Sequence, residues 1–230
     1  MYAVDISNKL LNQARDNCKE SDNVTYLKID LSKKGVKLKA LDFALSVNVA
    51  IMPSEKKRST IFKTISKHLC KGGHFLLVVP SLESALYSDF RLVQWNLKTG
   101  LTGAKAASEL EGKEDGGNAL IRQGIIEINN APTKHYLKEQ LKVLFENGPF
   151  DIVSIKKVEY YWDTEFERAP EVDERDLPLG LDAYFFTEYL RRKTQAGTGH
   201  EAKFNLDLRH ILTSEELLGS VKLTHLRGCS

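Results

Sequence analysis

Asp5 and Asp30 are the residues best placed to do chemistry. Asp5 closes a short apolar run that begins at Tyr2, and Asp30 closes the next, Val24 to Ile29. In open parallel α/β sheets, ligands bind beyond the carboxyl ends of the strands, where strand order reverses. A carboxylate at the first such end can accept two hydrogen bonds from a ribose diol, a directional and charge-assisted contact. One at the second end can accept from the exocyclic amine of adenine, while the next backbone N–H, that of Leu31, reaches a ring nitrogen. Taken singly, each acid also fits a helix cap or a turn. At matching ends of adjacent strand–helix units, the pair would read adenosine.

His135, at the start of an expected helix, is the remaining candidate for chemistry: a histidine beside a substrate can act as a general base, though a helix-cap or surface histidine is the commoner reading. The six histidines show no ligand spacing with cysteines or acids, so no metal site is expected. The acids between Asp163 and Asp176 read as a solvated loop. Tyr189 and Lys193 have the Tyr-x-x-x-Lys spacing of short-chain dehydrogenases, but they stand too late in the chain for that role.

The elements that must position these residues follow from periodicity. Ser7 can cap a helix over residues 8–19 that places Leu10, Leu11, Ala14 and Cys18 on one face. Strands are expected over 2–6, 24–29, 41–49 and 74–79, the last fully buried and ended by Pro80. Between the last two, a helix starts at Ser54-Glu55, turns Ile61, Ile65 and Leu69 inward, and stops at Gly72-Gly73. This alternation predicts a doubly wound, largely parallel α/β sheet over residues 1–80.

Farther on, a helix is expected over 82–97, whose Leu86, Tyr87, Phe90 and Trp95 suit the core at that spacing, with part of a substrate wall or lid as the alternative. A mobile stretch follows over 98–118, then a strand over 124–128 and a turn at Asn129-Asn130. A helix over 133–146 turns Leu137, Leu141, Leu144 and Phe145 inward, and a β-run covers 150–161. Residues 182–190 suit a strand or a helix. The division expected is a main domain over 1–190, with 98–133 as a substrate-side insertion or lid, and a polar linker with a short terminal helix over 191–230.

Bulk composition narrows the function classes. The 230 residues are 42% hydrophobic, enough for a sizeable core, and 28% charged with a formal net charge of +2. A dedicated nucleic-acid surface would show a strong basic excess, so no nucleic-acid partner is expected. No apolar run is long enough to span a membrane. The three cysteines have no paired spacing, so no disulfide framework is implied and a cytoplasmic, reducing compartment is the default.

Four segments together resemble class I S-adenosyl-L-methionine-dependent methyltransferases. Tyr-Ala-Val-Asp-Ile-Ser (2–7) with Leu-Leu-Asn-Gln-Ala-Arg (10–15) resembles their second-strand region. Val-Thr-Tyr-Leu-Lys-Ile-Asp-Leu (24–31) resembles the adenine-contacting segment. Phe-Ala-Leu-Ser-Val-Asn-Val-Ala-Ile (43–51) is similar to the strand that faces the methyl group. Leu-Cys-Lys-Gly-Gly-His-Phe-Leu-Leu-Val-Val-Pro (69–80) is similar to the turn and strand after the next helix. Residues 121–162 resemble the later helix-then-strand portion.

The resemblance implies a Rossmann-like fold and S-adenosyl-L-methionine as cofactor. It also implies methyl transfer, with a small molecule as the expected acceptor. Asp5 would contact the ribose and Asp30 the adenine. Ile6 and Leu31 would sandwich the adenine ring, and Ser46, Asn48 and Val49 would line the wall near the sulfonium.

The pattern departs from the family at one place. The family's first strand and Gly-x-Gly turn would precede residue 1, and no glycine cluster within the chain stands between a strand and a helix in the right order. The expectation is an N-terminally truncated domain with weak or no cofactor binding, since the glycines let the backbone approach the cofactor's methionine portion. An organelle address could lie on such a missing segment. Two alternatives follow: a non-catalytic binding module that keeps the fold, or a nicotinamide-dependent oxidoreductase, whose ribose also suits an acid at a strand end.

Overall fold

A computed structural model describes residues 1–19, 22–108, 120–128, 130–146, 148–160 and 183–192. Strand β1 (Tyr2–Asp5) leads into helix α1 (Asn8–Asn17), whose N-cap Ser7 accepts a hydrogen bond from the Leu10 N–H at 3.4 Å. Leu11 is buried, and Leu10, Ala14 and Cys18 lie half-buried beside it, as the periodicity requires. The Tyr26 hydroxyl donates to the Ala14 carbonyl, tying α1 to strand β2 (Thr25–Lys28). Strands β1 and β2 pair in parallel, Asp5 opposite Lys28.

Strand β3 (Leu41–Val47) is buried on both faces. Helix α2 (Glu55–His68) starts at its N-cap Ser54, and strand β4 (Leu69–Pro80) follows directly. The glycine pair therefore does not stop the helix, which ends where Leu69 turns to extended backbone. Gly72 and Gly73 lie in the following strand, where the register jumps from Leu41↔Leu69 to Phe43↔His74. Gly72 has φ of 75°, and a Cβ on Gly73 would come within 2.9 Å of the Cys70 carbonyl oxygen. Cys18 is a free thiol.

Helices α3 (Leu82–Lys98) and α4 (Gly103–Ser108) come next. Leu86 and Phe90 are 43% and 54% exposed, so this face of α3 is not core. Strands β5 (Ile125–Ile128) and β6 (Ala131–Lys134) form an antiparallel hairpin through Asn130, which has φ of 64°. The helix expected from Thr133 therefore begins later, as α5 (Lys138–Glu146). The strand pairing of 131–134 with 128–125 overrides the helical pattern there. Leu141 and Phe145 of α5 are buried, while Leu137 and Leu144 stay more than a third exposed.

Strand β7 (Phe150–Tyr160) and strand β8 (Ala183–Arg192) complete the described chain. Residues 182–190 are thus resolved in favour of a strand. The sheet order is β3-β4-β8-β7, with β8 antiparallel to both neighbours and β7 running with β3 and β4. The expected sheet is therefore present in two pieces, β1-β2 and β3-β4-β8-β7, and no described strand pairs with the outer edge of β1 or β3.

One core nevertheless spans both pieces. Val4 and Leu31 pack in the same cluster as Ala44, Phe62, Phe75 and Phe145. Phe62, Phe75, Phe145 and Phe150 form a ring-to-ring chain with centroid distances of 5.1 to 6.5 Å. The Thr64 hydroxyl of α2 donates to the Leu31 carbonyl at 3.1 Å, joining the helix to the segment after β2. The terminal linker and helix expected over 191–230, Arg191 and Arg192 apart, lie outside the described residues, as does the acidic stretch at 163–176.

Candidate active site

The two acids stand at adjacent carboxyl ends. Past the Asp5↔Lys28 pairing, the Ile29 N–H donates to the Asp5 carbonyl at 3.0 Å, and the chain then reaches Asp30. The Asp5 side chain is only 4% exposed, and its Oδ1 accepts from the Ser7 N–H at 2.6 Å. The Asp30 Oδ1 accepts from both the Ser32 hydroxyl and the Ser32 N–H, at 2.6 and 2.9 Å. The Ser32 hydroxyl is the largest influence holding the Asp30 carboxyl below the usual range, and Lys33 and Lys57 add to it. Asp30 is therefore a stable carboxylate, suited to accept hydrogen bonds.

Of the two apolar residues beside these acids, Ile6 is 68% exposed. Leu31 is 4% exposed and belongs to the core, so its side chain supports the strand end from within. A sandwich of a flat ring between the two side chains does not fit that burial; Ile6 alone offers an open apolar face.

At the end of β3, the Ser46 hydroxyl and the Asn48 Oδ1 are buried without a hydrogen-bond partner. Buried polar atoms are seldom left so, and an orphaned pair at a strand's carboxyl end marks a place for a ligand atom or water. Asn48 has φ of 52°, a left-handed conformation tolerated by asparagine, and its N–H donates to the Val78 carbonyl at 3.0 Å. The chain turns away from the sheet here, and Val49 packs half-buried against the core.

The segment Lys134–His135–Tyr136 closes this end of the sheet, and the burial of its lysine has no signal in the sequence. The Lys134 N–H donates to the Ile51 carbonyl after β3, and the Tyr136 N–H to the Pro80 carbonyl of β4. The Tyr136 hydroxyl donates to the Ala50 carbonyl, and the Leu82 N–H donates back to the Tyr136 carbonyl. His135, 6% exposed, sits between these anchors. Its Nδ1 lies 3.1 Å from the Thr133 carbonyl, which can only accept, so Nδ1 carries the proton and the neutral ring keeps its lone pair on Nε2. Burial pushes the imidazole below its ordinary range, and the Lys134 charge adds to that push.

Lys134 is itself buried, its ammonium donating to the Gln123 carbonyl and the Gln140 Oε1, both at 2.7 Å. Burial first, and the Arg58 guanidinium second, pull it down to about 8. Among the described residues, no group of three or more His, Cys, Asp or Glu could hold a metal ion. Nor is any helix of those residues long and apolar enough to cross a membrane. Tyr189 lies on β8, and Lys193 lies outside the described residues.

Residues 1–77 match the family model described as "Methyltransferase domain". No curated protein matches the sequence. Among solved structures, a SAM-dependent methyltransferase from Methanosarcina mazei is similar at a TM-score of 0.54 and 14% identity, over 84% of this chain and 82% of that one. The PH0226 protein from Pyrococcus horikoshii OT3 is similar at a TM-score of 0.50 and 17% identity, over 84% and 71%. At such identities the likeness speaks for the fold alone. The chain carries the class I, Rossmann-like methyltransferase fold.

Proposed function

We propose that this chain is an S-adenosyl-L-methionine-dependent methyltransferase acting on a small molecule. The observation that carries the reading is the placement of Asp5 and Asp30 at the carboxyl ends of two hydrogen-bonded parallel strands, with the orphaned Ser46 and Asn48 atoms at the end of β3. Those residues fit an adenosine-bearing cofactor: carboxylates for the ribose and the adenine amine, an exposed Ile6 for the ring, and buried oxygens for the polar remainder. Leu31 supports this site from the core, and Val49 shapes the wall beside Asn48.

The cofactor, when bound, supplies an electrophilic methyl group on a sulfonium. What remains for the chain is to orient an acceptor and remove its proton. His135 is the residue placed for the second task, neutral and with its Nε2 lone pair, on a segment anchored to the ends of β3 and β4.

Titration of the full chain with S-adenosyl-L-homocysteine, followed by amide NMR, tests this reading. Saturable shifts of the Ser7, Ser32 and Asn48 amides at millimolar ligand are expected, and Asp5→Asn should weaken them about tenfold or more. Absence of those shifts, or indifference to Asp5→Asn and Asp30→Asn alike, would overturn the assignment.

A further inference from the structure

We propose that Lys134 is a positioning residue for His135: its ammonium, tied to Gln123 and Gln140, fixes the segment after β6 that carries the imidazole against the carboxyl ends of β3 and β4. The inference rests on the reading of His135 as the proton acceptor, and it concerns how that ring is held.

The geometry is unusual for a lysine. The side chain is 1% exposed, its two acceptors are a carbonyl and a carboxamide oxygen, and the ammonium lies 4.9 Å from the Tyr136 ring centroid. Among the described residues it has no carboxylate partner. A buried ammonium is costly unless paired, and a purely structural link between a turn and a helix could be made by an apolar or neutral side chain at less cost. The charge is kept, and Arg58 of α2 lies near enough to disfavour it further. Such an arrangement is explained if the cation serves its neighbour.

That neighbour is built in from both sides. The His135 N–H donates to the Gly124 carbonyl at 2.6 Å, and the Lys134 ammonium donates to Gln123, one residue earlier in the same turn. Gly124 has φ of 69°, and a Cβ there would stand 2.5 Å from both the His135 carbonyl oxygen and the Lys134 Nζ. The turn, the ammonium and the histidine backbone are thus packed with no space for a methyl group. The Lys134 grip on Gln140 adds α5 to the same clamp. Among the described residues, Lys134 is the charged group acting on His135, and Arg58 the charged group acting on Lys134. A fixed cation beside the imidazole keeps it neutral, as a base must be before it takes a proton.

NMR of histidine-labelled full chain, followed against pH, tests the proposal without any substrate. In the wild type, His135 should titrate below the ordinary histidine range, its neutral form the Nδ1–H tautomer. Lys134→Met should raise its titration midpoint and mix its tautomers, and Lys134→Arg should restore the wild-type curve. If the methionine variant does not fold, Gln140→Ala, which frees the ammonium from α5 alone, should broaden or split the His135 signals. An unchanged His135 midpoint and tautomer in the methionine variant, or unchanged signals in Gln140→Ala, would overturn the proposal. Failure of the base reading would show elsewhere, as methyl transfer undiminished by His135→Gln while the NMR behaviour holds.

Discussion

Lys134 shows how a single side chain can couple burial to pH. Its folded value of about 8 lies below the value of about 10.4 expected in an unfolded chain. Between those limits the unfolded chain holds the proton and the folded chain does not, so unfolding takes up a proton and stability rises with pH. Below pH 8 both states are charged, and the folded one carries the full burial penalty. Urea unfolding of the wild type and Lys134→Met from pH 7 to 10.5 should therefore give a difference that moves in favour of the wild type by up to about 3 kcal/mol. A flat difference would mean that the ammonium is better solvated than its surroundings indicate. Asp30 is the opposite case, a carboxylate stabilised by the Ser32 hydroxyl and N–H and ready to accept from a ligand.

At the scale of elements, the β5–β6 hairpin and the segment after it depend on one glycine. Gly124→Ala should destabilise the fold by roughly 1–3 kcal/mol, from the left-handed backbone and the collision with the His135 carbonyl, readable as a lower urea midpoint. Local pattern made some of this architecture legible and hid the rest. Ser7 and Ser54 mark their helix starts because a hydroxyl before an amphipathic run has one obvious use. Asp5 and Asp30 stand out because acids ending apolar runs are conspicuous. The stretch Pro132-Thr133-Lys134-His135 misled because its strand pairing comes from residues 125–128, and helical periodicity carries no information about a partner strand. Leu31 was legible as apolar but not as core, since which side of a loop faces inward depends on α2 and its Thr64 contact. Lys134 was invisible for the same reason. Nothing local says that a lysine will be buried by Gln123 and Gln140.

At the scale of the molecule, the core is continuous while the sheet is not. Val4 and Leu31 belong to one apolar cluster with Ala44 and Phe75, yet among the described residues β1 and β3 share no hydrogen-bonded neighbour. Side-chain packing therefore holds the halves of the site together, through α2 above all. Asp5 and Asp30 lie on one half, and Ser46, Asn48 and the His135 segment on the other.

The margin of β3 that no described strand pairs with has a signature in amide hydrogen exchange. The Asn48 N–H points to β4, so by alternation those of Ala44 and Ser46 do too, while those of Leu45 and Val47 point the other way. All four of these strand residues are buried. Ordinary core strands protect successive amides almost equally, but here Ala44 and Ser46 should exchange slowly and Leu45 and Val47 faster by an order of magnitude or more. Uniform protection along β3 would mean that something in solution bonds to that margin, and the exchange rates would report it residue by residue.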